Sequence, residues 1–297
     1  MLLEIGTSRP GLVAAVTALH GGRTVSLRMP GGPNLVDPGE RDWSMEAVEE
    51  VRPDSEWRQD FGQVVWLGPQ ARFWGDQTAI PGRPAEAQGW PPDPICTGAG
   101  YAVLEHTPGR LRLRSPASPV WQVELTKTWE AATDGTIRFS VEARNVSRKT
   151  IRKGLWFNFR ATPSARVRVP VDRLSDLRVS GGADLRPLLS AGWLCLHAPV
   201  LPDGVVATDA KAFVRPSRGI IRIDASGGCL ELEFPAAPAE AVAEGHAPVE
   251  IYRKANRDSW SILEVEQHAP CVELAPGEVM THAETWRWLP DPDTRLA

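Results

Sequence analysis

Short runs of alternating apolar and polar residues recur along the whole 297-residue chain. Leu111-Arg112-Leu113-Arg114 alternates strictly, and so does Thr136 to Ala143, which follows Asp134-Gly135. An Asp-Gly pair favours the tight turn that joins two antiparallel strands. The same period marks Arg166 to Val171, Ile220 to Asp224 and Cys229 to Phe234, the last two separated only by Ala225-Ser226-Gly227-Gly228. Val249 to Arg253, Ser261 to Gln267 and Thr281 to Trp288 complete the series. A period of two with one polar face suits an antiparallel sheet buried on one side, and many such strands predict a sandwich or barrel. The expected fold class is therefore all-β, a large antiparallel β-sandwich with few short helices.

Only two stretches read as helix. Ser44 to Arg52 has Ser44 as a cap and Pro53 as a stop, and Ala236 to Gly245 is rich in Ala and Glu but contains Pro238. Gly31 to Glu56 and Thr78 to Gly98 carry too much proline for central strands and read as long loops, which often form functional rims. A prior of about 150 residues per domain suggests two domains, yet large sandwiches exceed it. With no linker or short repeat to divide the chain, residues 1–297 are expected to form a single domain.

Charge changes the picture little. The net charge is −4, and 33 Lys and Arg are spread without a basic stripe, so nucleic acid is not an expected partner. No apolar run approaches the length of a membrane-spanning helix, and Glu4 interrupts the only apolar start. Cys96, Cys195, Cys229 and Cys271 are widely separated and read as reduced thiols, so a soluble, cytoplasmic protein is expected. The six histidines are dispersed, and no glycine-rich nucleotide loop, zinc-protease or hydrolase motif occurs, so neither a metal nor a cofactor is expected. Aromatic usage is more telling: 12 of the aromatics are Trp, beside 7 Phe and 2 Tyr. Indole packs cores, and it also stacks on sugar rings.

Four segments carry candidate chemistry. In Phe61 to Trp74, an apolar strand containing Trp66 runs into Gly68-Pro69 and then Gln70, Arg72 and Trp74, groups able to bond vicinal hydroxyls or stack on a pyranose. In Leu155 to Pro163, Trp156, Asn158 and Arg160 share one strand face, either a binding strip or an ordinary exposed face. In Ser261 to Pro270, Glu264, Glu266 and His268 share a face, with Leu263 and Val265 on the other. Two carboxylates and an imidazole suit acid–base work, although Glu231 and Glu233 alternate alike and read as a solvated face. Lys211 stands at a strand entrance, in reach of an anionic or hydroxylated ligand or simply at the surface.

The run from Pro248 to Leu289 resembles the C-terminal end of galactose-mutarotase-like proteins. It carries Val249 to Tyr252, Ile262 to Pro270, the turn Leu274-Ala275-Pro276-Gly277-Glu278, and Glu284 to Trp288. Within that superfamily, Gly21 to Leu27, Gly62 to Trp74 and Leu155 to Pro170 are most similar to the group called domain of unknown function 4380. The resemblance implies a β-supersandwich with a sugar-sized groove and a small-molecule carbohydrate as partner. It also implies a catalytic glutamate near the C-terminus, at Glu264 or Glu266. The histidine acid of the family has no counterpart, because the matching strand reads Trp156-Phe157-Asn158-Phe159. Loss of such an acid costs about 10²–10⁴ in rate. The first expectation is therefore a carbohydrate-binding protein. The alternatives are an aldose 1-epimerase-like enzyme and a non-catalytic sandwich. Trp66, Gln70, Arg72, Trp74, Asn158, Arg160, Lys211 and His268 are the expected ligand contacts.

Overall fold

The computed structural model describes residues 2–7, 11–43, 50–58, 60–83, 87–258 and 261–291. Among these, the first ten strands are β1 (Leu2–Gly6), β2 (Val13–Thr17), β3 (Arg23–Arg28), β4 (Gln63–Gly68), β5 (Ala102–Thr107), β6 (Arg110–Arg114), β7 (Val123–Ala131), β8 (Ile137–Asn145), β9 (Ile151–Arg160) and β10 (Val167–Pro170). The remainder are β11 (Leu177–Gly181), β12 (Leu188–Ser190), β13 (Trp193–Leu196), β14 (Ala207–Val214), β15 (Ile220–Ala225), β16 (Gly228–Glu233), β17 (Val249–Asn256), β18 (Ile262–His268), β19 (Val272–Leu274) and β20 (Val279–Pro290). They form two sheets, and every pairing within them is antiparallel. One runs β1-β2-β3-β4-β9-β18-β17-β14-β11 with β19 attached to β9, and the other runs β12-β13-β10-β15-β16-β20-β8-β7-β6-β5.

Each alternating run named above coincides with a strand, overrunning it by no more than one residue at either end, and the two hairpin turns join β7 to β8 and β15 to β16. The helical expectations fared less well. Ser44 to Glu49 lies outside the described residues, and Glu50 to Arg52 is not helical. Ala236 to Gly245 contains only one 3₁₀ turn, Ala239–Ala241, set off by Pro238. The proline-rich loop ends in an unforeseen helix, Pro94–Gly98, whose first amides bond the buried carboxylate of Asp93. Asp93 is a favourable cap, and proline is tolerated in a first turn.

The inner faces meet in an aromatic core. Phe139 lies 5.2 Å from Phe157 and 5.6 Å from Trp286, and Phe159 lies 6.2 Å from Trp286. A polar layer sits inside it: His282 Nε2 is 2.6 Å from Gln267 Oε1, and Trp286 Nε1 donates to Glu284 at 2.8 Å. Burial pushes Glu284 up to about 7 and His282 down to about 4. Glu284 thus binds protons more readily folded than unfolded, which lowers stability as pH rises from about 4.5 to 7. His282 does the reverse between about 4 and 6.5. The two gradients oppose one another in the shared window. Glu284→Gln is therefore expected to uncover a stability that climbs from pH 4.5 to 6.5, by up to about 1.4 kcal/mol per pH unit. Urea titrations of both proteins across that range check it; parallel profiles would refute the assignment.

Strands β7 and β8 show the alternation of half-buried strands. By contrast, β4 and β18 are buried at every position and β9 at all but one. These three neighbours are therefore covered on both faces, by the second sheet on one side and by loops on the other. That outer covering creates the site.

Candidate functional site

Registers of adjacent strands decide which side chains meet. Trp66 of β4 pairs with Trp156 of β9, and Trp156 with His268 of β18. One step along, Asn158 pairs with Glu266, and Glu266 with Glu250 of β17. One step further, Arg160 pairs with Glu264, Glu264 with Tyr252, and Tyr252 with Lys211 of β14. Because strand side chains alternate, all of these lie on the outer face, away from the second sheet.

Lys211 is the hub. Its Nζ lies 2.5 Å from Glu250 Oε2, 2.9 Å from Glu266 Oε2 and 5.0 Å from the Trp156 ring centroid. Both carboxyl groups are fully buried. Rather than standing at the surface, Lys211 is a part-buried bridge, since the hairpin β17–β18 presents two acids to it. Burial alone would lower the Lys211 pKa, but the flanking Glu266 and Glu250 raise it above its usual value. Burial also opposes ionisation of Glu250, yet His246, His268 and Lys211 together hold its carboxyl well below the usual range. Glu266 moves the other way: burial, aided by the neighbouring Glu264 and Glu250, raises it despite Lys211. A single cation between two carboxyls leaves one charged and one protonated.

His246 and Ala247, in the loop before β17, pack against this face. The Gln70 amide donates to His246 Nε2 at 3.2 Å, which leaves the proton on Nδ1 to meet Glu250 Oε1 at 3.2 Å. The Ala247 amide donates to the same oxygen at 2.8 Å. The His246 ring lies 4.8 Å from Trp156 and 4.6 Å from His268. Burial pushes His268 down to about 4, so it is neutral at ordinary pH; its Nε2 is 3.5 Å from Glu250 Oε2. His246, Glu250 and His268 bring ligand-type atoms within 4.8 Å of one another, which corrects the expectation of dispersed histidines. As arranged, His246 is hydrogen-bonded to Glu250, His268 lies beside the same carboxyl, and the Lys211 ammonium is the cation paired with it.

At the other end of the face, Glu264 is paired with Arg160, whose guanidinium carbon sits 4.5 Å from the Phe61 ring centroid. Tryptophans close the side: Trp66 lies 4.7 Å from Trp156, 6.5 Å from Trp57 and 6.3 Å from Trp90. Trp57 is part-buried and Trp90 is 45% exposed, so these two form the accessible rim. Among the described residues, six buried polar atoms of the face have neither a hydrogen-bond partner nor an ion-pair contact: Trp66 Nε1, Trp156 Nε1, both amide atoms of Asn158, one terminal nitrogen of Arg160 and Glu266 Oε1.

Of the expected contacts, Trp66, Asn158, Arg160, Lys211, Glu264, Glu266 and His268 share this face. Gln70 touches it only through its amide. Arg72 and Trp74 are not brought to it. The 3₁₀ turn Gln70–Arg72 points Arg72 to solvent beside Asp76, and Trp74 is buried, donating to the Pro91 carbonyl at 2.6 Å with Arg83 3.7 Å over its ring. Glu231, expected to be solvated, is buried against Arg222 at 2.8 Å. Sequence reasoning missed His246, Glu250, Trp57 and Trp90. Glu250 was legible in principle: a hairpin of Val249 to Arg253 with Ser261 to Gln267 sets Glu250 against Glu266.

Comparisons with known proteins bear on this geometry. The family model described as "Domain of unknown function (DUF4380)" matches residues 5–289. No curated protein matches the chain. Among solved structures, a galactose mutarotase-like protein from Lactobacillus casei is 11% identical with a TM-score of 0.57, covering 97% of this chain and 100% of its own. A galactose mutarotase-like protein from Clostridium acetobutylicum is 12% identical with a TM-score of 0.52, over 96% and 95%. A GalM/aldose epimerase homologue from C. elegans is 12% identical with a TM-score of 0.55, over 98% and 99%. These likenesses establish the galactose-mutarotase-like sandwich. No helix among the described residues is long and apolar enough to cross a membrane.

Proposed function

Because the chain belongs to the DUF4380 family and has the galactose-mutarotase-like fold, we propose that it binds a neutral, hydroxyl-rich small molecule, an aldose or close derivative, on the outer face of β4, β9, β18 and β17. The observation that carries this reading is the convergence there of six unpartnered polar atoms. Buried donors and acceptors are almost always satisfied, so such a cluster marks where water or a ligand supplies partners. The set mixes donors with a carboxyl oxygen and an amide that both donates and accepts, which matches sugar hydroxyls, each a donor and an acceptor. Trp57 and Trp90 at the rim suit the apolar face of a pyranose. Arg160 and Lys211 are already paired with carboxyl groups, so no unmatched cation in this set awaits a phosphate or carboxylate.

Ligand-observed NMR with aldoses and their 6-phosphates tests this. Saturable binding of a neutral aldose, at least about tenfold tighter than its phosphate, is expected; tenfold corresponds to about 1.4 kcal/mol. Tighter binding of the phosphate, or silence across the panel, would sink the reading.

A further inference from the structure

We propose that one group of the bound sugar is a primary amine, held as an ammonium between Glu266 and Asn158, so that amino sugars are preferred to their parent aldoses; this rests on the binding reading above and names the sugar class. Three carboxyl groups share the outer face of the hairpin β17–β18: Glu250, Glu264 and Glu266. Only two cations are paired with them. Arg160 holds Glu264, and the single ammonium of Lys211 is shared, 2.5 Å from Glu250 Oε2 and 2.9 Å from Glu266 Oε2. His246 accepts the Gln70 amide at Nε2 and burial keeps His268 neutral, so neither imidazole adds a charge. This group of side chains is therefore one positive charge short. The shortage falls on a definite atom. Glu250 has His246 and the Ala247 amide on its second oxygen, whereas Glu266 Oε1 is buried without a partner.

Across from Glu266, in register on β9, stands Asn158, whose amide oxygen is also unpartnered. Side chains paired across antiparallel strands start about 4.5–5.5 Å apart, so one nitrogen can be reached by both. An ammonium has three N–H donors and accepts nothing, which suits a carboxylate oxygen beside an amide oxygen. A hydroxyl has one proton and can donate to only one of the two. The indole N–H groups of Trp66 and Trp156 remain for hydroxyl oxygens of the same sugar. The charged and titratable groups facing Glu266 are Lys211 on β14, Glu250 and Tyr252 on β17, Glu264 and His268 on β18, Arg160 on β9 and His246 in the loop before β17. Burial, with Glu264 and Glu250 alongside, favours the protonated form of Glu266 in the free protein despite Lys211. An uncharged amine takes that proton. The O–H bond of Glu266 breaks, the nitrogen lone pair forms a new N–H bond, and a carboxylate–ammonium pair remains with the total charge unchanged. The uncharged amine is thus a neutral ligand of the class proposed above. A sugar that arrives already protonated sends the Glu266 proton to solvent instead.

Titration calorimetry with D-glucosamine, D-galactosamine and D-mannosamine, each beside its parent aldose and its N-acetyl derivative, tests this. At least one amine is expected to bind about tenfold or more tighter than its parent, as for a hydrogen bond made to a charged group. Acetylation removes the basic nitrogen and should abolish the gain. At pH 6 the free amine is protonated, its pKa being about 8 as for an α-amino group. Titrations there in buffers of different ionisation enthalpy should show about one proton released per amine bound and none per parent. In Glu266→Gln the ratio of the parent and amine dissociation constants should fall to about one. Parent aldoses that bind as tightly as all three amines overturn the proposal and leave the binding reading standing. So does a folded Glu266→Gln variant that keeps the preference. Should Glu266→Gln not fold, the proton count decides, and an amine preferred without proton release overturns the proposal. Silence of every sugar overturns both.

Discussion

Lys211→Met is expected to lower unfolding free energy at pH 7 by about 3–5 kcal/mol, the range for removing one partner of a buried ion pair. The methionine keeps the length of the side chain but strands the Glu250 carboxylate beside Glu266, where His246 and the Ala247 amide are its remaining donors. The pH dependence has a definite sign. The folded pKa of Glu250 is depressed, so its contribution is present above the unfolded carboxyl pKa and is lost as pH falls through the folded value. The gap between variant and wild type should therefore be widest near neutrality and shrink on acidification, as a protonated Glu250 no longer needs a cation. Adding Glu250→Gln should recover part of the loss, because the stranded charge is gone. Urea unfolding of the single and double variants at pH 7 and pH 4 measures this. A loss under about 1 kcal/mol would mean that the bridge is as weak as a surface pair.

Asn158→Leu is expected to act in opposite directions on stability and binding. Asn158 is fully buried and neither amide atom has a partner. An unsatisfied buried polar group costs about 1–3 kcal/mol, so a side chain of like size without polar atoms should stabilise the ligand-free protein by a comparable amount. The same change removes the amide from the face at which the sugar is proposed to bind, and affinity should fall at least about tenfold. Calorimetric melting and titration with the best-bound aldose, on one preparation, check both. A variant that is less stable and binds normally would show that Asn158 serves the fold. Stabilisation with loss of binding is the signature of a group kept for function at the expense of stability.

The buried carboxyl cluster and the proposed ligand face share one architectural cause. β4, β9 and β18 lie side by side at the middle of their sheet, and loops reaching across them carry Trp57, Trp90 and His246. The resulting low-dielectric pocket of paired groups makes the same carboxyl chemistry behave differently at Glu250 and Glu266, two residues that face each other across one hairpin. Glu231 and Glu233, with the same spacing on β16, have no such roof over both, and Glu233 remains exposed.

The alternation of apolar and polar positions by itself determined that this chain forms antiparallel strands. It also determined which face of β9 and β18 each side chain takes, because a period of two is a local property of extended backbone. That Trp156, Asn158 and Arg160 share one face of β9, and Glu264, Glu266 and His268 one face of β18, could thus be read directly. The family's sandwich was legible as well, through the Leu274 to Glu278 turn and the strands around it. What only the tertiary structure decided was the company these residues keep. Nothing near Lys211 in the chain announces two glutamates some forty and fifty-five residues later; strand pairing delivers them. Arg72 and Trp74 follow β4 directly and still turn away, because a 3₁₀ turn redirects the chain within three residues. Lys127 and Arg253 share the phase of the apolar positions on their strands, and only the fold explains charged groups there: both lie buried, their charged ends bonded to main-chain carbonyls from distant loops. Local pattern specifies a strand and its faces; burial, charge balance and reactivity depend on which other strands and loops close over them.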